Sequence, residues 1–170
     1  LVDASLNVFR WKTASYTTIA PLLFALLAAG ADPAGAWQQA LAVGRPLGLA
    51  FQLADDLLDV VGSSRNTGKP VGGDIREGKR TVLLADALAA AGTQDRQQLI
   101  DLFESDARTD DQVAFVIALF QSTGAVERSR NRIHALWLES RAAIANLNLE
   151  PEAENHLIAA CARFVPENLR

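Results

Sequence analysis

Three aspartates, Asp55, Asp56 and Asp59, stand inside the oily run FQLADDLLDVVG, residues 51–62. Charged carboxylates are rarely buried unless they are paired or bound to a cation. With Gln52 and Ser63 they follow i, i+3, i+4, i+7 and i+11, which on a helix gathers them into a stripe about 100° wide. Leu53, Ala54, Leu57, Leu58, Val60 and Val61 around that stripe are all apolar. Asp55 and Asp59 fall one turn apart, about 6 Å, close enough to share an ion or a ligand. A solvent-facing stripe of an amphipathic helix is the plain alternative. Against it, the stripe holds no Lys or Glu for i,i+4 support, and three like charges within two turns repel unless a cation lies among them. Hard oxygen donors without His or Cys suit Mg²⁺, which takes one or two carboxylates together with substrate phosphates. His134 and His156 have no Cys or His at ligand spacing, which argues against zinc and leaves both as ordinary helix residues.

The segment that follows supplies charges of the opposite sign. Residues 62–80, GSSRNTGKPVGGDIREGKR, contain Lys69, Arg76, Lys79 and Arg80. Gly68, Gly72, Gly73 and Gly78 let the backbone fold tightly beside a ligand. Alone, such a stretch is a solvated connector. Beside the aspartates it completes what a Mg²⁺–diphosphate complex needs: cations for the phosphate oxygens and acids for the metal. Lys12-Thr13, far upstream, adds a further lysine that by itself is unremarkable.

The elements that must position these residues are helices. Helical periodicity dominates and no alternating strand is evident. A first helix, capped by Asp3 or Ser5, runs to about Ala29 and ends at Gly30 and the Ala-Asp-Pro turn. A second starts at Pro33, passes Gly44, Pro46 and Gly48 with a kink expected near Pro46, and ends around Gly62. After the glycine-rich loop, helical patterning returns from Thr81 and continues through 95–105, 110–122, 123–147 and 151–165. Gly92 and Gly124 fall at inter-helix positions. The expectation is an all-α helical bundle forming one domain interrupted by one basic loop.

Composition narrows the function classes. Sixteen basic and 20 acidic residues give a net charge of −4, which argues against a general nucleic-acid binder. The oiliest run, IAPLLFALLAAG, is shorter than the ~20 residues of a spanning helix. Cys161, the single cysteine, allows no internal disulfide and suits a reducing, cytoplasmic setting. No methionine occurs in 170 residues, so the chain is read as a piece of something longer.

The string FQLADDLLDVVG…GKPVGGDIREGKRT resembles the second aspartate-rich motif and following loop of the trans-type isoprenyl diphosphate synthases, and KTASYT resembles that family's Lys-Thr motif. Lys12 to Leu88 carries the likeness; the C-terminal helices agree only in type. The resemblance implies an isoprenoid-synthase helical bundle of which residues 1–170 are the C-terminal part. It also implies a prenyltransferase that condenses isopentenyl diphosphate with an allylic diphosphate, with products of C15–C20 favoured. On that footing Asp55, Asp56 and Asp59 are expected as Mg²⁺ ligands or, for Asp59, an outer-shell partner. Lys12, Lys69 and Lys79 are expected on the diphosphate, Thr13 and Gln52 near the reacting carbon, and Phe51 along the substrate region. Asp74 is expected to orient the loop. The family also implies a homodimer in the cytoplasm.

Two departures are plain. The family's first Asp-rich motif and the upstream basic elements that hold isopentenyl diphosphate do not occur in this chain, and Asp106, Asp110 and Asp111 lack that motif's spacing. The chain alone is therefore expected to be inactive, with activity belonging to the intact parent. A non-catalytic regulatory subunit, a class I terpene or squalene-type synthase, and a helical scaffold with an acidic groove are the alternatives.

Overall fold

The computed structural model describes residues 2–62 and 71–170. The described residues are all-α, with no strand among them. In chain order they form α1 (Val2–Phe9), a π-helical stretch (Arg10–Ile19), α2 (Ala20–Ala28), α3 (Pro33–Val61) and α4 (Gly73–Arg76). Then follow α5 (Val82–Ala90), α6 (Thr93–Glu104), α7 (Asp110–Ser122), α8 (Ala125–Ala145), α9 (Pro151–Ala162) and a 3₁₀ turn (Glu167–Leu169). They fall into two compact units: Leu1–Ser5 with Asp55–Arg130, and Leu6–Ala54 with Asn131–Arg170.

α3 is the long element, and its burial follows its sequence. Ala40, Val43, Leu47, Ala50, Ala54 and Leu57 recur at alternating three- and four-residue steps and are all buried, the apolar stripe of a helix seated in a core. The helix assignment continues through Pro46, although Pro lacks the N–H that would bond the carbonyl four residues back and its ring crowds that turn. Side-chain hydroxyls bond two carbonyls just ahead of it: Ser140 Oγ donates to Val43 O at 3.0 Å, and Thr18 Oγ1 to Gly44 O at 2.6 Å.

The first helix departs from the expected uniform α-helix by a ten-residue π-helical stretch. The hydroxyls of its TASYTT segment supply a reason. Ser15 Oγ donates to Trp11 O at 2.7 Å and Thr18 Oγ1 to Ala14 O at 3.0 Å, occupying carbonyls that i→i−4 backbone bonds would use. At its end Ala20 N–H reaches five residues back to Ser15 O, the π spacing.

In the other unit the caps are those the sequence supplies. Thr109 and Gln112 form a reciprocal capping box at the start of α7, and Thr81 caps α5, whose residues Val82–Ala87 are all buried. The basic loop needs one correction: Gly73–Arg76 is a helical turn with Ile75 only 2% exposed, so this part of the glycine-rich stretch reaches the core.

Candidate functional site

α3 carries Phe51, Gln52, Asp55, Asp56 and Asp59 in succession, and their surroundings differ. Asp55 is exposed, Asp59 half-buried, and Asp56 only 6% exposed. Asp55 and Asp56 stand at opposite edges of the stripe, with Asp59 near its centre, so the stripe is open on the Asp55 side and buried on the Asp56 side.

Asp59 is the anchor of the following turn. Its main-chain carbonyl accepts Gly72 N–H at 2.8 Å, and its Oδ1 and Oδ2 accept the N–H groups of Gly73 and Asp74 at 3.0 Å each. Three successive amides thus converge on one aspartate at the opening of α4, where helix N–H groups have no internal partner. The fit is tight: a Cβ on Gly72, whose φ is +79°, would stand 2.4 Å from Val113 Cγ1. Desolvation by burial raises the Asp59 pKa above its ordinary value, against the lowering effect of the Asp74 N–H.

The same turn holds Lys79. Its ammonium is hydrogen-bonded to Asp74 Oδ1 and lies 3.2 Å from Glu77 Oε2. The Asp74 hydrogen bond pushes its pKa above the usual lysine range, so it is a firmly charged group already engaged with carboxylates. Arg76 ties the turn to α7 by donating to Val71 O and to Asp110 Oδ1, both at 2.7 Å. Lys69 lies outside the described residues.

Among the residues of the second unit, Thr13 is buried and its Oγ1 donates to Gln52 Oε1 at 3.0 Å. This orients the Gln52 side chain from the π-helical stretch. Lys12, the residue before, is exposed. The Phe51 ring meets the Phe164 ring edge-on, with centroids 5.7 Å apart and planes at 87°, an arrangement that suits the aromatic quadrupole. The close seating of this stretch on α3 depends on glycine: a Cβ on Gly48 would stand 2.5 Å from Ala14 Cβ and 2.6 Å from Ala14 Cα.

The donor set for a metal is oxygen only. Among the described residues no group of three or more His, Cys, Asp or Glu has the arrangement to hold a metal ion. A divalent ion that uses one or two carboxylates and completes its shell with water and phosphate oxygens does not require one. Exposed Asp55 fits that role directly. Both Asp59 oxygens already accept an amide, and each keeps a second lone pair, so Asp59 fits the outer-shell role at least as well as direct ligation. His134 and His156 are both exposed. Sequence reading missed Arg76 and Arg108 as fasteners of the turn; a pattern of spacing within one helix carries no signal for contacts made between α4 and the α6–α7 connection.

Comparison with known proteins identifies the family and the fold. The chain is 39% identical over 158 residues to a short chain isoprenyl diphosphate synthase of Methanothermobacter thermautotrophicus, covering 89% of this chain and 47% of that protein. It is 35% identical over 131 residues to a geranylfarnesyl diphosphate synthase of Aeropyrum pernix, covering 75% of this chain and 38% of that one. Its fold superposes with a TM-score of 0.86 and 35% identity on a geranylgeranyl pyrophosphate synthase from Corynebacterium glutamicum, solved with isoprenyl diphosphate and magnesium, across 96% of this chain and 46% of that one. The chain thus spans about half the length of the curated relatives it matches. The family model described as polyprenyl synthetase matches residues 2–120, and the chain belongs to the polyprenyl synthetase family.

Proposed function

We propose that this chain is the C-terminal part of a Mg²⁺-dependent prenyltransferase that joins isopentenyl diphosphate to an allylic diphosphate, giving a longer trans-prenyl diphosphate, with C15–C20 products favoured. The observation that carries the reading is the Asp59 clamp. One aspartate of the acidic stripe holds the turn bearing Asp74 and Lys79 by two backbone hydrogen bonds, which fixes the basic turn to the acidic helix.

In this reading Asp55 and Asp56 hold Mg²⁺, and Asp59 orients the turn or joins them. Mg²⁺, when bound, supplies positive charge against the departing diphosphate. On the sequence match, Lys12, Lys69 and Lys79 bind the allylic diphosphate and stabilise charge on its oxygens as the allylic C–O bond ionises. The Thr13–Gln52 pair presents fixed polar atoms near the reacting carbon, and Phe51 shields it from water. The isopentenyl double bond then attacks, and the proton lost in forming the new alkene leaves with the diphosphate.

Exposed Trp11, Tyr16 and Phe24, at 79%, 67% and 69%, support burial of the first helix against further polypeptide. We place there the remainder of a full-length synthase and its homodimer partner, in the cytoplasm; the isolated chain is then inactive. The test is Asp55→Ala in the full-length protein, assayed for Mg²⁺-dependent consumption of isopentenyl diphosphate. Loss of about 10²-fold or more in turnover is expected. Undiminished turnover overturns the reading, and consumption of farnesyl diphosphate without isopentenyl diphosphate shows a cyclase instead.

A further inference from the structure

We propose that Arg108, in the connection between α6 and α7, is a positioning residue for Lys79, acting through the left-handed turn at Gly78. The inference rests on the reading of Lys79 as a diphosphate-binding cation. α4 ends in a Schellman motif: Gly78 N–H bonds Ile75 O at 3.0 Å, and Lys79 N–H bonds Asp74 O at 2.9 Å. The turn requires glycine at φ +72°. The Arg108 guanidinium lies close against this turn: a Cβ on Gly78 would stand 2.8 and 2.9 Å from its terminal nitrogens.

The guanidinium that occupies this space is held on several sides. Its Nε donates to Leu102 O at 2.9 Å, and its Nη1 to Arg76 O, at the end of α4, at 3.3 Å. Its central carbon lies 5.3 Å from the centroid of the Phe103 ring, within cation–π range. A planar fork can bond two helix-end carbonyls and stack at once, which a lysine ammonium cannot. Arg108 therefore reaches from α6 to the last carbonyl of α4 and lies close against Gly78, one residue before Lys79. Both carboxylates that engage the Lys79 ammonium, Asp74 and Glu77, belong to this same turn. The direction in which Lys79 leaves the backbone is thus set by the turn as a unit, and Arg108 is its external brace.

The test is a double-mutant cycle in the full-length protein, read as calorimetric affinity for inorganic pyrophosphate in the presence of Mg²⁺, with Lys79→Ala, Arg108→Gln and both together. Lys79→Ala is expected to weaken binding about tenfold and Arg108→Gln by about three- to tenfold, whereas Arg108→Gln in the Lys79→Ala background costs nothing further. Arg108→Lys is expected to recover little, since it loses the fork. A purely structural role gives the same fold loss in both backgrounds, and that result overturns the proposal, as does wild-type affinity in Arg108→Gln. Unchanged binding in Lys79→Ala alongside loss in Asp55→Ala refutes this inference while leaving the metal site standing. A wild-type protein that takes up no Mg²⁺–pyrophosphate refutes the functional reading and this inference together. Should Arg108→Gln fail to fold, Arg108→Lys takes its place in the cycle: loss confined to the Lys79 background supports the proposal, and equal loss in both backgrounds overturns it.

Discussion

Replacing Gly48 by alanine should destabilise the chain, against the direction that helix propensity gives. In a free helix the exchange gains about 1 kcal/mol. Here the new methyl would stand 2.5 Å from Ala14 Cβ, 2.6 Å from Ala14 Cα and 2.8 Å from Thr18 Oγ1, where carbon contacts prefer about 3.5–4.0 Å. Ala14 Cα is backbone, so no flexible side-chain end can swing away; the π-helical stretch must move off α3 by about 1 Å. Overpacking of this kind costs about 1–3 kcal/mol, and losing the buried Thr18–Gly44 hydrogen bond at 2.6 Å adds about 1 kcal/mol. The net is a loss of about 1–3 kcal/mol, read as a fall of about 3–10 °C in Tm. The movement also pulls apart the Thr13–Gln52 bond, four positions further along α3, so on the proposed function the turnover of the full-length protein should fall with stability. Thermal and urea unfolding followed by circular dichroism measure the first effect. Gly92→Ala is the comparison without a clash: nothing lies within 4 Å of its Cβ, and since Gly92 is the N-cap of α6, where glycine is favoured over alanine, it should cost only about 0.5–1 kcal/mol. A Gly48→Ala protein as stable as the parent would show that the close crossing does not govern this unit.

Asp59→Asn keeps the shape but turns one acceptor into a donor facing a backbone N–H, so it should cost about 1–2 kcal/mol and speed hydrogen exchange at the Gly73 and Asp74 amides. In an NMR titration Asp59 should ionise above its ordinary value, because burial raises its pKa. The folded chain then holds that proton more tightly than the unfolded one, and this group's contribution to stability declines as pH rises through the raised value. Burial likewise pushes the Cys161 thiol up from 9.0 to about 11. A thiol reagent at about pH 8 should therefore modify it far more slowly in the folded chain than in urea. Between those two pKa values the unfolded chain releases a proton the folded one keeps, so the thiol should lower stability by up to about 1.4 kcal/mol per pH unit.

What was legible in the sequence is what period and punctuation encode. α3 ends at Val61 where Gly62 follows, α9 starts at Pro151, and α7 begins at Asp110, because apolar spacing, proline and glycine act within a few residues of the ends they set. The acidic stripe was visible for the same reason: Gln52, Asp55, Asp56 and Asp59 on one helix fix their mutual geometry without help from the rest of the chain, while Ser63 lies outside the described residues. The π-helical stretch was not visible, since it arises from hydroxyls competing for helix carbonyls, and Ser and Thr occur in ordinary helices as well. The short helix at Gly73–Arg76 was hidden by its glycines. Glycine reads as loop when local entropy decides, yet Gly72 and Gly78 hold positive φ with Val113 and Arg108 packed close against them. Those neighbours lie about thirty positions or more away in the sequence. The turn that holds Lys79 is therefore specified by residues outside the motifs that bear its charges, and substitutions at Arg108 or Val113 are where its geometry is most open to test.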